Sequence, residues 1–194
     1  MTTLRSIRSP SVRALGLVAT GLILGSVFAA GARAQDPHSG HAEHDSAASA
    51  YAELEDRAVK ALSEEEARGL ERGEGMGFAL SAELNGVPGP KHALELAEEL
   101  SLTDPQRRAI GEIEERMAEE ARAIGAEVLS LETELDRRFA HGHVTPDDVE
   151  RLSVEIGEAR GRLRAVHLNA HLETAEILDE GQVERYNRLR GYTP

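Results

Sequence analysis

Ala140-His141-Gly142-His143-Val144-Thr145-Pro146 is the stretch that decides the fold. It holds a glycine between two histidines and a Thr-Pro pair, and it separates two long segments with helical periodicity. Before it, apolar residues fall at Ile110, Ile113, Met117, Ala121, Ile124, Val128, Leu131, Leu135 and Phe139. Steps of three and four trace one stripe on a helix roughly 50 Å long at ~1.5 Å per residue. After it, Leu152, Ile156, Ala159, Leu163, Val166, Ala170, Thr174 and Ile177 trace a second stripe, opened by Thr145 and Asp148 as a cap. A short break between two matching stripes predicts a long antiparallel α-hairpin. Gly111, Gly125, Gly157 and Gly161 interrupt it at about 1 kcal/mol each, serving either close helix approach or bending.

Each end of the hairpin carries the same short pattern. Leu102-Thr103-Asp104-Pro105-Gln106 opens the first long helix, and Leu178-Asp179-Glu180-Gly181-Gln182 follows the second. Thr103 and Asp179 are N-caps, and Gln106 and Gln182 stand three residues on, where an amide reaches back to the cap N–H. Pro105 falls in the first turn, where its missing donor is harmless. Upstream, Leu62-Ser63-Glu64-Glu65-Glu66 reads as a further capping box whose helix stops near Gly73. Met76 to Leu84 is a second short helical piece, Gly86-Val87-Pro88-Gly89-Pro90 a turn, and Lys91 to Leu100 a third helix. No stretch alternates with the period of a strand, so the expected class is all-α, a hairpin with short flanking helices. A hairpin stripe covers only one face, so the shorter helices, a second subunit or both must shield the remainder, and dimerisation is expected on that ground.

The amino terminus reads as an export signal over residues 1–34. Arg5, Arg8 and Arg13 precede an apolar run from Ala14 to Ala30, and Ala32-Arg33-Ala34 is a small-x-small cleavage site. The alternative is an uncleaved inner-membrane anchor, for which the run is at the short limit. Residues 35–50 are polar and low in bulky side chains, and are expected to be disordered without a ligand; residues 51–194 form the helical domain. Past residue 34 the chain holds 18 Lys and Arg against 35 Asp and Glu, a net charge of −17. Such a chain repels nucleic acid and anionic lipid. Cysteine is absent, which excludes disulfides and thiolate chemistry.

All eight histidines lie beyond the signal segment. His167 and His171 are four apart on the return helix, one place beyond the core positions Val166 and Ala170. That spacing suits two ligands to one metal ion, or two surface histidines flanking the stripe. A turn centred near Gly142 and His143 places Glu114 opposite His171, which completes a three-ligand set. His38, His41 and His44 lie three apart in the polar tail, a weaker and less selective set, or simply part of a soluble tail. His141 and His143 are read as turn residues. With Met76 and Met117 as the only methionines past residue 1, the sequence offers no dedicated thioether site. Gly73-Glu74-Gly75-Met76-Gly77 lacks a preceding strand and a Lys-Ser/Thr pair, so it reads as a helix terminator and hinge rather than a phosphate loop. No nucleophile elbow or His-Glu-x-x-His appears, and the chain is not expected to be an enzyme.

The doubled Leu-Thr-x-x-Gln pattern resembles the LTxxQ motif of the Spy/CpxP family of small periplasmic proteins. That family includes envelope-stress chaperones and heavy-metal sensor or resistance proteins of the CnrX and ZraP kind. The resemblance spans roughly Tyr51 to Tyr192. It implies a periplasmic homodimer that buffers or reports a divalent transition metal (Zn, Ni, Co or Cu(II)), with a membrane sensor or anti-sigma protein as partner. The alternative is an ATP-independent chaperone for unfolded clients, although the acidic charge departs from the basic-rimmed cradle of the chaperone branch. In the sensors a Glu lies twelve residues after the first motif's Leu, which here is Glu114. The sensors place a ligand pair eight and four residues before the second motif's Leu, whereas His171 here stands seven before Leu178. Of a further sensor pair before the first motif only His92 remains.

Overall fold

The computed structural model describes residues 51–192. The expected signal segment, the polar tail and His38, His41 and His44 lie outside the described residues. Within them the chain is all-α, with no strand. A 3₁₀ turn at Ala52–Leu54 precedes α1 (Glu64–Arg72), α2 (Leu80–Glu83), α3 (Pro90–Glu95), α4 (Asp104–Ala140), α5 (Pro146–Ile177) and α6 (Glu180–Arg190). None of the described helices is long and apolar enough to cross a membrane.

Local chemistry places the helix starts. Ser63, Thr103, Thr145 and Asp179 each accept from the backbone N–H three residues on, while the side chain at that position returns to the cap's own N–H. Four reciprocal capping boxes therefore set where α1, α4, α5 and α6 begin. Gly73 and Gly191 end α1 and α6 in the left-handed conformation, with φ of 68° and 75°. The third helix is shorter than its sequence span: α3 stops at Glu95, and residues 96–101 continue as turns.

Helices α4 and α5 pack along one another and carry the core. Ala121, Val128, Ala159 and Leu163 form one buried cluster with Leu62 and Leu70 from the α1 region. A second cluster joins Ala93, Ala97, Leu100 and Leu102 to Ile110, Leu178 and Tyr186. Ion pairs Arg116–Glu173, Arg162–Glu127 (2.6 Å), Arg160–Glu132 (3.1 Å) and Arg138–Asp148 (2.8 Å) run between the two long helices. Glu132 is buried, so its pairing with Arg160 offsets a desolvation that an unpaired carboxylate would not survive.

The chain upstream of α4 folds back onto the long helices, and Gly125 is where α1 crosses. A Cβ at Gly125 would lie 2.2 Å from the Leu70 carbonyl oxygen, so glycine permits that approach. Gly111, Gly157 and Gly161 face open space, where the same argument does not apply.

The two Leu-x-x-x-Gln segments meet. Gln106 Nε2 donates to Gln182 Oε1 at 2.8 Å and to the Ile177 carbonyl at 3.0 Å. Gln182 Nε2 reaches Gln106 Oε1 at 3.2 Å and the Leu100 carbonyl at 3.3 Å. Each Oε1 also accepts from its own cap N–H, at 3.0 Å in both cases. Leu102 and Leu178 are buried beside this pair. The repeated motif thus caps two helices and ties the start of α4 to the start of α6.

Candidate metal centre

The fold-back of residues 62–95 decides the environment of the histidines. His167 and His171 are 3 % and 8 % exposed, in the core rather than on a flank of the stripe. Val166, assigned to the stripe centre by periodicity, is only half-buried. The periodicity correctly marks an apolar face on α5, where Leu163, Ala170 and Thr174 are buried as expected, but the added layer widens that face to include His167 and His171. His167 stacks on Phe78 with ring centroids 6.0 Å apart and planes 9° from parallel. Phe78 follows the Gly75-Met76-Gly77 segment, and that segment lies over the imidazole: a Cβ on Gly75 would sit 3.9 Å from His167 Nδ1.

His167 and His171 open onto a cavity of about 280 Å³, with His92, Glu83, Met76 and Met117 also on its wall. Glu114 is half-buried and is not part of that wall. Three of the four ligand positions expected from sequence therefore share one cavity, and the carboxylate that joins them is Glu83. The sequence reading missed Glu83. Its signal was a lone acid within Phe78-Ala79-Leu80-Ser81-Ala82-Glu83-Leu84, an otherwise nearly apolar run.

Glu83 is heavily engaged. Its carboxylate accepts from the Tyr186 hydroxyl at 2.7 and 2.9 Å, the Tyr192 hydroxyl at 3.0 Å and Arg190 Nε at 3.1 Å. His92 Nδ1 lies 3.3 Å away and His171 Nδ1 3.8 Å. Burial by itself would raise the Glu83 carboxyl, yet the two tyrosine hydroxyls, with His92 and His171, hold it below the usual carboxylate range. Burial and the facing Glu83 carboxylate together push the Tyr186 hydroxyl well above its ordinary range, so it stays a donor.

The histidines divide by their partners. His171 Nδ1 donates to the Val87 carbonyl at 2.8 Å, and its Nε2 is packed so tightly that a Cβ on Gly89 would lie 2.6 Å away. His171 thereby secures the turn between α2 and α3. His167 differs: its Nε2 is buried with no hydrogen-bond partner. Burial, then the neighbouring His171, lowers its affinity for a proton, so a neutral imidazole with a free lone pair is the favoured form. Among the described residues no three His, Asp or Glu donors converge as a metal-binding group. Of the His167–His171–Glu114 set expected from spacing, His167 and His171 share the cavity wall and Glu114 does not. The bond from His171 Nδ1 to the Val87 carbonyl leaves the other ring nitrogen of His171 uncommitted.

No protein-family model matches this chain, and neither a curated protein nor a solved structure matches it.

Proposed function

We propose that this chain is a periplasmic, non-enzymatic heavy-metal-binding protein built on a Spy/CpxP-like helical hairpin, in which His167 anchors the ion. One observation carries the reading: His167 Nε2 is buried, unpartnered and attached to a ring on the wall of a cavity. An orphaned ring nitrogen costs about 1–3 kcal/mol, and a coordinated ion offsets that cost. The hairpin reading is supported by the ion pairs between α4 and α5, since Arg116 pairs with Glu173, Glu127 with Arg162 and Arg138 with Asp148. Partners that rise in number along α4 and fall along α5 are those of an antiparallel pair. A homodimer, export by the amino-terminal segment and signalling to a membrane sensor or anti-sigma protein belong to the same proposal and rest on the motif resemblance.

Calorimetric titration with Zn, Ni, Co and Cu(II), with Mg as control, tests it. Wild-type protein should hold one ion more tightly than its tail does, and His167→Phe should lose that ion while keeping its helical circular dichroism. Replacing His38, His41 and His44 together by Ala should remove only the weaker sites. If His167→Phe binds every metal as wild type does, the cavity is not a metal centre.

A second reading has its own observation. Leu80 and Leu84, one turn apart, are 54 % and 61 % exposed, an apolar pair suited to an unfolded client. Chaperoning predicts that chelated protein suppresses aggregation of several unrelated clients without ATP, and that Leu80→Ser with Leu84→Ser abolishes the effect.

A further inference from the structure

Met76 and Met117 are the only methionines in the sequence apart from Met1, and both stand on the wall of the His167 cavity. They arrive from different directions: Met117 from the middle of α4, Met76 from the segment joining α1 to α2. Met76 is held at a positive φ of 38° although glycines stand on both sides of it. A non-glycine residue in that conformation is strained, and a glycine would relieve the strain at no steric cost. The surroundings keep room for the thioether, since a Cβ on Gly69 would lie 2.2 Å from the Met76 sulfur.

The donors near the cavity differ in availability. Glu83 is taken by two tyrosine hydroxyls and Arg190, and His171 Nδ1 by the Val87 carbonyl. What carries no hydrogen bond is soft or borderline: two thioethers, the unpartnered imidazole of His167, and the second ring nitrogens of His171 and His92. Thioethers select soft ions such as Cu(I), whereas Zn and Ni favour imidazole together with carboxylate or thiolate. Charge points the same way. With the Glu83 carboxylate on this wall already paired to Arg190 and two tyrosine hydroxyls, a set of neutral donors leaves most of the ion's charge uncompensated, and the desolvation penalty rises steeply from a monovalent to a divalent ion.

We infer that the cavity formed by Met76, Met117 and His167 binds a soft monovalent d¹⁰ ion, Cu(I) or Ag(I), in preference to a divalent one. The inference deepens the metal-binding reading and rests on it. Coordination would use the sulfur lone pairs and a His167 nitrogen, with Phe78 stacked behind the ring and the 73–77 segment as the cover. The segment's glycines then serve to let the chain pass close over His167, with Met76 at the partly exposed rim of the cavity, its sulfur against Gly69.

The test uses purified protein with Ag(I) in chloride-free buffer, and Cu(I) delivered anaerobically from a competing chelator. Methionine methyl groups are followed by NMR alongside affinity by competition. Wild-type protein should take up one Ag(I) with the methyl resonances of both Met76 and Met117 shifting. The volume-conserving Met76→Leu, Met117→Leu double variant should weaken Ag(I) and Cu(I) by more than an order of magnitude and leave Zn affinity unchanged. His167→Phe should weaken all three ions. Methyl resonances that stay in place on Ag(I) addition, or a double variant that binds Ag(I) as wild type does, overturn the thioether site, because tail histidines would then account for the uptake. Zn lost in His167→Phe with no Ag(I) effect at the methionines overturns this inference alone and leaves the metal-binding function standing. Neither ion responding to His167→Phe removes both.

Discussion

Glu83 shows how a single side chain organises its surroundings. One buried carboxylate gathers Tyr186 and Arg190 from α6, Tyr192 beyond it and His92 from α3. Removing it strands those donors, so Glu83→Ala should cost about 3–5 kcal/mol in urea unfolding, the range for breaking a buried charged cluster. Tyr186→Phe removes one hydroxyl and should cost about 1–2 kcal/mol. The pH dependence has two parts. The Glu83 carboxyl is held below its unfolded value, so its stabilisation is present above about pH 4.5 and is lost as pH falls further. The His167 imidazole is also lowered, because burial and His171 oppose its protonation. The unfolded chain then takes up the proton first, and stability declines as pH drops through about 6.5. In metal-free protein the urea midpoint should fall between pH 7.5 and 5.5, and His167→Phe should flatten that decline. A midpoint that stays level in wild type would mean His167 protonates as easily in the folded state as in the unfolded.

At the scale of elements, the glycines make opposite predictions from identical helix propensities. Gly157 and Gly161 face open space in the middle of α5, so replacing either with Ala should stabilise by about 0.5–1 kcal/mol. Gly125 lies against the Leu70 carbonyl, and Gly125→Ala should instead destabilise by about 1–3 kcal/mol through overpacking, despite the propensity gain. Thermal melts of the three single variants, checked by circular dichroism, separate the signs. The Gln106–Gln182 pair is a junction of elements rather than a pair of independent caps. Gln106→Ala and Gln182→Ala should each cost about 1–2 kcal/mol, and the double variant should cost less than the sum, since the cross-pair is lost once.

For the whole molecule, the long helices are covered by one added layer, and the remaining apolar surface includes Leu172, Val154 and Phe139. Leu163 is fully buried between α4, α5 and the α1 region, so Leu163→Ala should cost about 2–5 kcal/mol. Leu131 is only half-buried, and Leu131→Ala should cost distinctly less. The proposed homodimer predicts a melting temperature that rises with protein concentration, read by calorimetry over a hundredfold range. A melting temperature independent of concentration would make the exposed apolar residues a feature of the monomer.

The sequence by itself determined the helix starts, because Ser63, Thr103, Thr145 and Asp179 act on backbone within three residues of themselves. It likewise determined the two long helices and the break at residues 141–145, since a stripe repeated over nine turns outweighs a few interior glycines. The candidate centre was legible only in part. His167, His171 and His92 were marked by residue type and spacing, but whether they lie inside or outside depends on residues 62–89 folding over α5 from about a hundred positions away. That layer buried His167 and His171, left Glu114 off the cavity wall, supplied Glu83 and brought Met76 to a cavity that Met117 and His167 also line. Capping and periodicity are local and survive in the unfolded chain's own vicinity, whereas burial is a property of whatever packs on top. Only the tertiary structure could decide which donors are spent on the fold and that the His167 ring nitrogen is buried without a partner.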